Sequence, residues 1–323
     1  MVITIGTDCS GIEAPIIAFK KLKIKHEHIF SCDYDKHVRQ AIKGNFNPKT
    51  IYEDITNRDH NNVLPVDFYF CGFPCQSFSS AGKKAGFNDP RGTIFFHCHK
   101  YISLKKPKAF VLENVKGLVN HDNGNTFKII MEMCDSLTDY NIFNKVLNSK
   151  HFNIPQNRER IFIIGIKKDL IVNEFKFPST IEIHPGISYL LESTFFQKKE
   201  NNLTKWELNN LQHFIDKYLN KTPPISIEDS YYILDIGASE KFASIMHNIS
   251  PCLKASRSNY YITNLQRKLS PRECLRLQGI PDNLFKQICS DHQTYKQAGN
   301  SITVNVLEAI IKELFNSLNI PLN

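Results

Sequence analysis

The sequence predicts an α/β fold, a mostly parallel sheet with helices on both faces, accompanied by a smaller second lobe. Through the first half of the chain, apolar runs of strand length alternate with helix-length amphipathic stretches, the pattern of parallel strands joined by crossover helices. Beyond Phe175 the chain becomes irregular, polar and rich in Asn and Lys. With 323 residues it is long enough for two lobes, and 41% hydrophobic with 22% charged residues is an ordinary globular balance. The expected division is 1–174, completed by 292–323, for the first lobe and 175–291 for the second.

Taken in order, "VITIGTDC" reads as a strand and "EAPIIAFKKLKI" as a helix, with Pro15 tolerated in its first turn. "HIFSCD" is a strand and "DKHVRQAIKGNF" a helix, while "TIYEDI" and "DFYFCG" are strands. "TIFFHCHKYISLK" is a helix, "AFVLEN" a strand and "NTFKIIMEMCDSL" a helix; "YNIFNKVLNS" and "RIFIIGIKK" are strands. In the polar stretch only "LTKWELNNLQHFIDKYL" reads as a helix. "SPRECLRLQGIPDNLF" then gives a capped helix, with Ser270 as N-cap, Pro271 at the first position, Glu273 closing a capping box and Gly279 as the stop. In "VNVLEAIIKELFNSL", Leu307, Ile310, Ile311, Leu314 and Leu318 share one face, which must pack.

Lys and Arg number 40 against 32 acidic residues, and the net charge of +8 suits a polyanionic partner. No apolar run reaches bilayer length, and "MVITIGTDCSG" lacks a basic segment leading into an apolar core; an intracellular protein without a membrane partner is expected. Cysteines number 9, an odd count that points to reduced thiols, and no ligand spacing points to a metal.

Doubly wound sheets bind ligands outside the carboxyl ends of their strands. The first strand runs into "DCSGIEAP", where Ser10-Gly11 permits a tight turn and the next helix offers free N–H groups. Asp33, ending the second strand, is placed to accept hydrogen bonds from ribose hydroxyls, and Asp54, ending the third, could face an adenine amino group. Together they point to an adenosine-containing ligand. Glu13 stands where a dinucleotide fingerprint would have its second glycine. A carboxylate there would repel a pyrophosphate but not the sulfonium-bearing end of S-adenosylmethionine.

In "FCGFPCQSFS", Gly72 lets the backbone leave the sheet and Cys75 directly follows Pro74. Such a thiol is an inert spacer, a metal ligand, half of a disulfide, or a nucleophile; the last needs N–H dipoles or positive charge nearby. Cys71, inside the apolar run, reads as inert. "FVLENVKGL" puts Glu113 and Asn114 at the end of a buried strand, where charge is rarely left without cause. "IPQNRERIFIIGI" places Arg158 and Arg160 two apart before a strand, so both are expected on one face. "YKQAGNSITVNV" supplies Asn300 and Ser301 ahead of a helix.

In order, "SGIEAP", "GFPCQSFS", "DPRGTIFF", "FVLENV", "QNRER", "RKLSPRECLRLQGIPD" and "QAGNSITVNV" resemble the DNA (cytosine-5)-methyltransferases, from Thr7 to Val306. "CSGIEAP" departs from the family's commoner paired glycines. The resemblance implies a Rossmann-like S-adenosylmethionine-dependent methyltransferase sheet with a target-recognition lobe. It also implies double-stranded DNA as partner, a monomer, and a companion restriction endonuclease. Cofactor contacts would come from Ser10, Gly11, Ile12, Glu13, Asp33, Tyr34, Asp54, Ile55, Gly72, Pro74, Asn300 and Ser301.

By the same resemblance Cys75 would attack carbon 6 of a flipped cytosine. Glu113, a buried acid able to hold a proton, would donate to ring nitrogen 3 and accept from the exocyclic amine. Arg158 and Arg160 would hold Glu113 or the ring oxygen and counter charge near Cys75. Gln76, Ser77 and Asn114, with Lys254 and Arg257 of "LKASRSNYY", would contact the substrate, and the loop from Gln76 to Gly92 would close over it. An RNA (tRNA) cytosine-5 methyltransferase of the same fold and a catalytically silent DNA-binding relative are the alternatives. "GFPCQ" instead of "PPCQ", and Leu-Lys instead of Phe-Thr after Cys252, favour DNA; the intact Cys, Glu and Arg set favours an enzyme.

Overall fold

A computed structural model describes residues 2–74, 94–181, 186–193, 203–219, 230–238 and 244–322. They form two compact units, one of Met1–Leu147, Glu159–Ser179 and Ser301–Asn323, the other of Asn148–Arg158 and Thr180–Asn300.

The first unit is built on strands β1 (Ile3–Asp8), β2 (His26–Cys32), β3 (Thr50–Tyr52), β4 (Phe68–Cys71), β5 (Ala109–Val115), β6 (Tyr140–Asn148) and, after the short β7 (Gln156–Asn157), β8 (Glu159–Lys167). The order is β3-β2-β1-β4-β5-β8-β6. Pairings from β3 through β5 are parallel, and β8 runs antiparallel to β5. The mostly parallel sheet read from the sequence is therefore present, with one reversed strand. Helices α1 (Ala14–Lys21), α2 (Lys36–Asn45), α3 (Ile94–Lys105), α4 (Asn125–Asp135) and the late α8 (Val304–Ser317) accompany it.

The two-residue period of β4 shows how both faces are covered. Tyr69 and Cys71 join a cluster with Phe95, Cys98, Tyr101 and Ile102 of α3 and Ile130 and Cys134 of α4. Phe68 and Phe70 meet Phe19 of α1 edge-on, and Phe315 of α8 stacks on Phe68 at 5.5 Å. Leu307, Ile310, Ile311 and Leu314 are buried as the helical period required. Lys21 of α1 pairs with Glu308 of α8 at 2.5 Å.

In the second unit, α5 (Lys205–Leu219) lays Leu211 and Phe214 on Leu234, Ile236 and Tyr261. A four-stranded sheet has the order β10-β9-β12-β13, from β9 (Tyr232–Asp235), β10 (Ile245–His247), β12 (Tyr260–Ile262) and β13 (Arg267–Lys268); β11 (Ser250–Pro251) pairs with β7. Strands of two to four residues are too short to show alternation, which is why this stretch looks irregular in the sequence. Helix α6 (Pro271–Arg276) carries the full Ser270–Glu273 capping box, and Gly279 follows with φ +74°. Helix α7 (Asp291–Asn300) was not expected: its buried positions are Thr294, Gln297, Ala298 and Gly299, so it has no apolar stripe to read.

Gly165 of β8 lies against the Phe110 ring; an added Cβ would sit 2.1 Å from Phe110 Cε1. Gly165→Ala is expected to cost about 1–3 kcal/mol by overpacking, seen as a lower midpoint in urea unfolding with little change in slope.

Candidate active site

Register places Asp8 of β1 beside both Cys32 of β2 and Cys71 of β4, and Cys71 beside Leu112 of β5. The four strands thus reach one row together. Strand order reverses at β1, between β2 and β4, where an open α/β sheet leaves a crevice. Residues 9–13, 33–35, 72–74 and 113–115 all leave from that row.

On one side lies the turn after β1. Gly11 has φ +53° and nothing within 4 Å of a would-be Cβ, so the space above it is open. Its N–H donates to Asp33 Oδ2 at 2.9 Å, and Asp35 N–H donates to Oδ1 at 2.9 Å. Burial nevertheless pushes the Asp33 carboxyl up to about 6, against the pull of those two N–H groups. Next to it the Tyr34 ring is 83% exposed. Asp54 accepts from Thr56 N and Oγ1, both at 2.8 Å, while Ile12 and Ile55 are buried.

Glu13 is also left-handed, φ +60°, and its carboxylate is enclosed beneath the turn rather than presented on it. Oε1 accepts from Thr7 Oγ1 at 2.8 Å and from Ser31 Oγ at 2.6 Å. Ser10 Oγ accepts from Cys32 N at 2.9 Å. These bonds sew the turn to β2, which ends just before Asp33.

On the other side, Glu113 and Val115 share a face of β5, and Val115 pairs with Arg160 of β8. Glu113 and Arg160 are therefore diagonal neighbours, within reach of long side chains, and Arg160 Nε lies 3.1 Å from Glu113 Oε1. A Cβ on Gly72 would sit 3.5 Å from Glu113 Oε2 and 3.6 Å from Ile302 Cδ1, an ordinary fit, and φ there is not positive. Gly72 thus marks where the late segment Ser301–Ile302 returns to the end of β4. Asn114 Nδ2 donates to Phe73 O at 3.0 Å, tying the end of β5 to the residue before Pro74. Cys71 is interior: Sγ is 3.3 Å from Cys98 Sγ, and burial drives its pKa well up, as suits an inert thiol.

The two arginines take different partners. Arg158 falls in the break between β7 and β8, where strict alternation lapses. Its Nη1 donates to Leu253 O at 3.0 Å and its Nη2 to Gly299 O at 3.1 Å, both within the second unit. Asn300 ends α7 exposed, and Ser301 is buried. Cys75, Gln76 and Ser77 lie outside the described residues, as does the loop to Gly92.

Other residues escaped the sequence reading. Arg58 forms a two-pronged buried pair with Asp8, at 2.6 and 2.5 Å, and Tyr69 OH donates to Asp8 Oδ2 at 2.6 Å. A charge at the end of an apolar strand was the available signal. Gln156 of "QNRER" is fully buried, donating to Leu277 O at 2.7 Å and accepting from Leu253 N at 3.0 Å. Asp235 receives both Lys254 and Arg257. Among the described residues no cluster of His, Cys, Asp or Glu could hold a metal, and no helix is long and apolar enough to cross a membrane.

The family model for C-5 cytosine-specific DNA methylase matches residues 8–316. The chain belongs to that family. It is similar to the type II methyltransferase M.HhaI of Haemophilus parahaemolyticus, 35% identical over 91% of this chain and 89% of that one. It is also similar to M.HaeII of Haemophilus aegyptius, 38% identical over 96% of this chain and 92% of that one. In fold it resembles the S. pombe Dnmt2 methyltransferase, with TM-score 0.71 and 18% identity over 99% of this chain and 100% of that one. This cytosine-5 DNA methyltransferase takes its methyl group from S-adenosylmethionine. An open turn at Gly11, spare lone pairs on Asp33 and the exposed Tyr34 ring fit an adenosyl group.

A carboxyl whose folded pKa is raised loses stability as pH climbs from its unfolded pKa through its folded one. Asp33→Asn is therefore expected to stabilise the cofactor-free protein at pH 7.5 by about 1–2 kcal/mol, less than the full shift because one acceptor is lost. The gain should shrink towards pH 4, as melting curves at both pH values will show.

Proposed function

We propose that this methyltransferase modifies a cytosine flipped out of a short duplex site, with Cys75 as the attacking thiolate. The observation that carries the reading is the Glu113–Arg160 pair at the end of β5, beside Gly72 and three residues before Cys75. Carbon 5 of cytosine is a poor nucleophile while the ring is aromatic. A thiolate bond to carbon 6 makes it enamine-like, provided the ring's new charge is met at nitrogen 3. Glu113 supplies that proton and accepts from the exocyclic amine, a pairing that selects cytosine. Arg160 holds the Glu113 carboxyl and would meet the ring oxygen.

Bound S-adenosylmethionine supplies the electrophilic methyl. Ser10, Gly11, Ile12 and Glu13 would shape the turn around it, Asp33 would accept from the ribose, and Tyr34 and Ile55 would flank the adenine. Asp54 would accept from the adenine amino group, while Gly72, Pro74, Asn300 and Ser301 would close the methionine end. After transfer a water molecule would act as base and take the proton on carbon 5, Cys75 would leave carbon 6 as thiolate, and the proton on nitrogen 3 would return to Glu113. Arg158 holds the backbone around Leu253 and Gly299. Gln76, Ser77, Asn114, Lys254 and Arg257 are assigned to the substrate, and 175–291 to target reading, with chemistry in 1–174 and 292–323. The protein is taken to act as an intracellular monomer. The type II names of its relatives support a companion endonuclease.

Cys75→Ser should abolish methyl transfer yet still bind S-adenosylmethionine, and only the native enzyme should become covalently trapped on duplex DNA containing 5-fluorocytosine; a fully active variant would remove the mechanism. Glu113→Gln should lower kcat by roughly 10²–10⁴ with a smaller change in KM for DNA, read in single-turnover assays.

A further inference from the structure

Asp235 ends β9 and is 1% exposed, yet it belongs to no part of the chemistry above. Its Oδ2 receives Arg257 Nη1 at 3.0 Å and Lys254 Nζ at 3.3 Å. Oδ1 is buried with no hydrogen-bond partner among the described residues. Burying a carboxylate is costly even when paired, so its placement asks what two cations gain by being held.

The loop that carries them is fixed from several sides within the second unit. Tyr260 OH accepts from Lys254 N at 2.7 Å and donates to Cys252 O at 3.0 Å. Arg257 N closes a turn on Lys254 O at 3.2 Å. Gly299 of α7 lies so close below that a Cβ there would be 2.4 Å from Ala255 N. On this fixed backbone the two side chains remain 42% and 27% accessible for Lys254 and Arg257. Among the described residues Asp235 is the one partner of the Arg257 guanidinium, bound through Nη1 alone.

We propose that Asp235 is a specificity-determining positioning residue, which aims the Arg257 fork at a guanine in the recognised DNA site. A guanidinium held at one edge by a buried carboxylate keeps a defined plane and presents its remaining N–H groups in a fixed direction. That matches the paired O6 and N7 acceptors of guanine in the major groove. Lys254, on the same oxygen, offsets the Asp235 charge. The inference rests on the reading of this unit as the one that meets DNA.

The test uses the full-length protein with S-adenosylmethionine on a pool of duplexes randomised around a cytosine. Methylated molecules are sequenced for native enzyme, Arg257→Lys and Asp235→Asn. The native enzyme should require guanine at one position or more. Arg257→Lys keeps the charge but loses the fork, and should relax one such position by about tenfold or more while leaving the others. Asp235→Asn should relax the same position, with KM for S-adenosylmethionine unchanged. If Arg257→Lys keeps the native preference everywhere, or loses rate equally on all sites with a shallower salt dependence, the inference is overturned. A native enzyme that methylates no duplex would overturn it together with the reading beneath it. A folded Asp235→Asn that keeps the native preference also overturns it; should Asp235→Asn melt early, Asp235→Glu, which keeps the charge but shifts the carboxylate, is profiled in its place with the same expected and overturning results.

Discussion

The parallel registry of four strands is the constraint on which the rest depends. Because Asp8, Cys32, Cys71 and Leu112 stand in one row, the segments after them leave a single edge of the sheet. Reversal of strand order at β1 divides those segments, so a crevice opens between neighbours that would otherwise cross over on the same face. Residues as far apart in sequence as Gly11, Asp33, Gly72 and Glu113 thereby share one edge. Aromatic packing on both faces, Phe19 and Phe315 on one and Tyr69, Phe95 and Tyr101 on the other, holds the registry.

Several ionisable groups at that edge are withdrawn from water. Asp8 is met by both prongs of Arg58 and by Tyr69 OH, and Glu13 by two hydroxyls; Glu113 is met by Arg160. Each arrangement opposes the cost of burial with direct partners, and each fixes a direction. Loss of one partner leaves the other buried and unmatched, which makes such sites intolerant of change and geometrically sharp. Asp33 is the exception: its two N–H donors do not outweigh burial, and its carboxyl remains raised.

The second unit uses the same device at smaller scale. Its strands are short and its sheet has four members, so polar side chains replace a large core: Gln156 joins Leu277 to Leu253, Arg267 locks onto Glu273, and Asp235 gathers Lys254 and Arg257. Buried polar groups must be satisfied, and satisfying them from distant segments organises loops that have few apolar side chains to pack.

Much of the first unit was legible because its strands and helices bury apolar side chains at regular periods, and periodicity survives in one dimension. The order of motifs was legible too, and with it the family and the methyl donor. The capping box of α6 is a local pattern, and it appears as written. What the sequence could not disclose was every feature set by a partner far along the chain. Helix α7 and the small sheet have no apolar period, the Arg58–Asp8 pair joins residues 50 apart, and Arg158 and Arg160 part where one strand breaks into two. A linear pattern records which side chains are available. Only closure of the chain decides which carboxylate meets which cation, because that depends on strand registry and on distances that no spacing encodes.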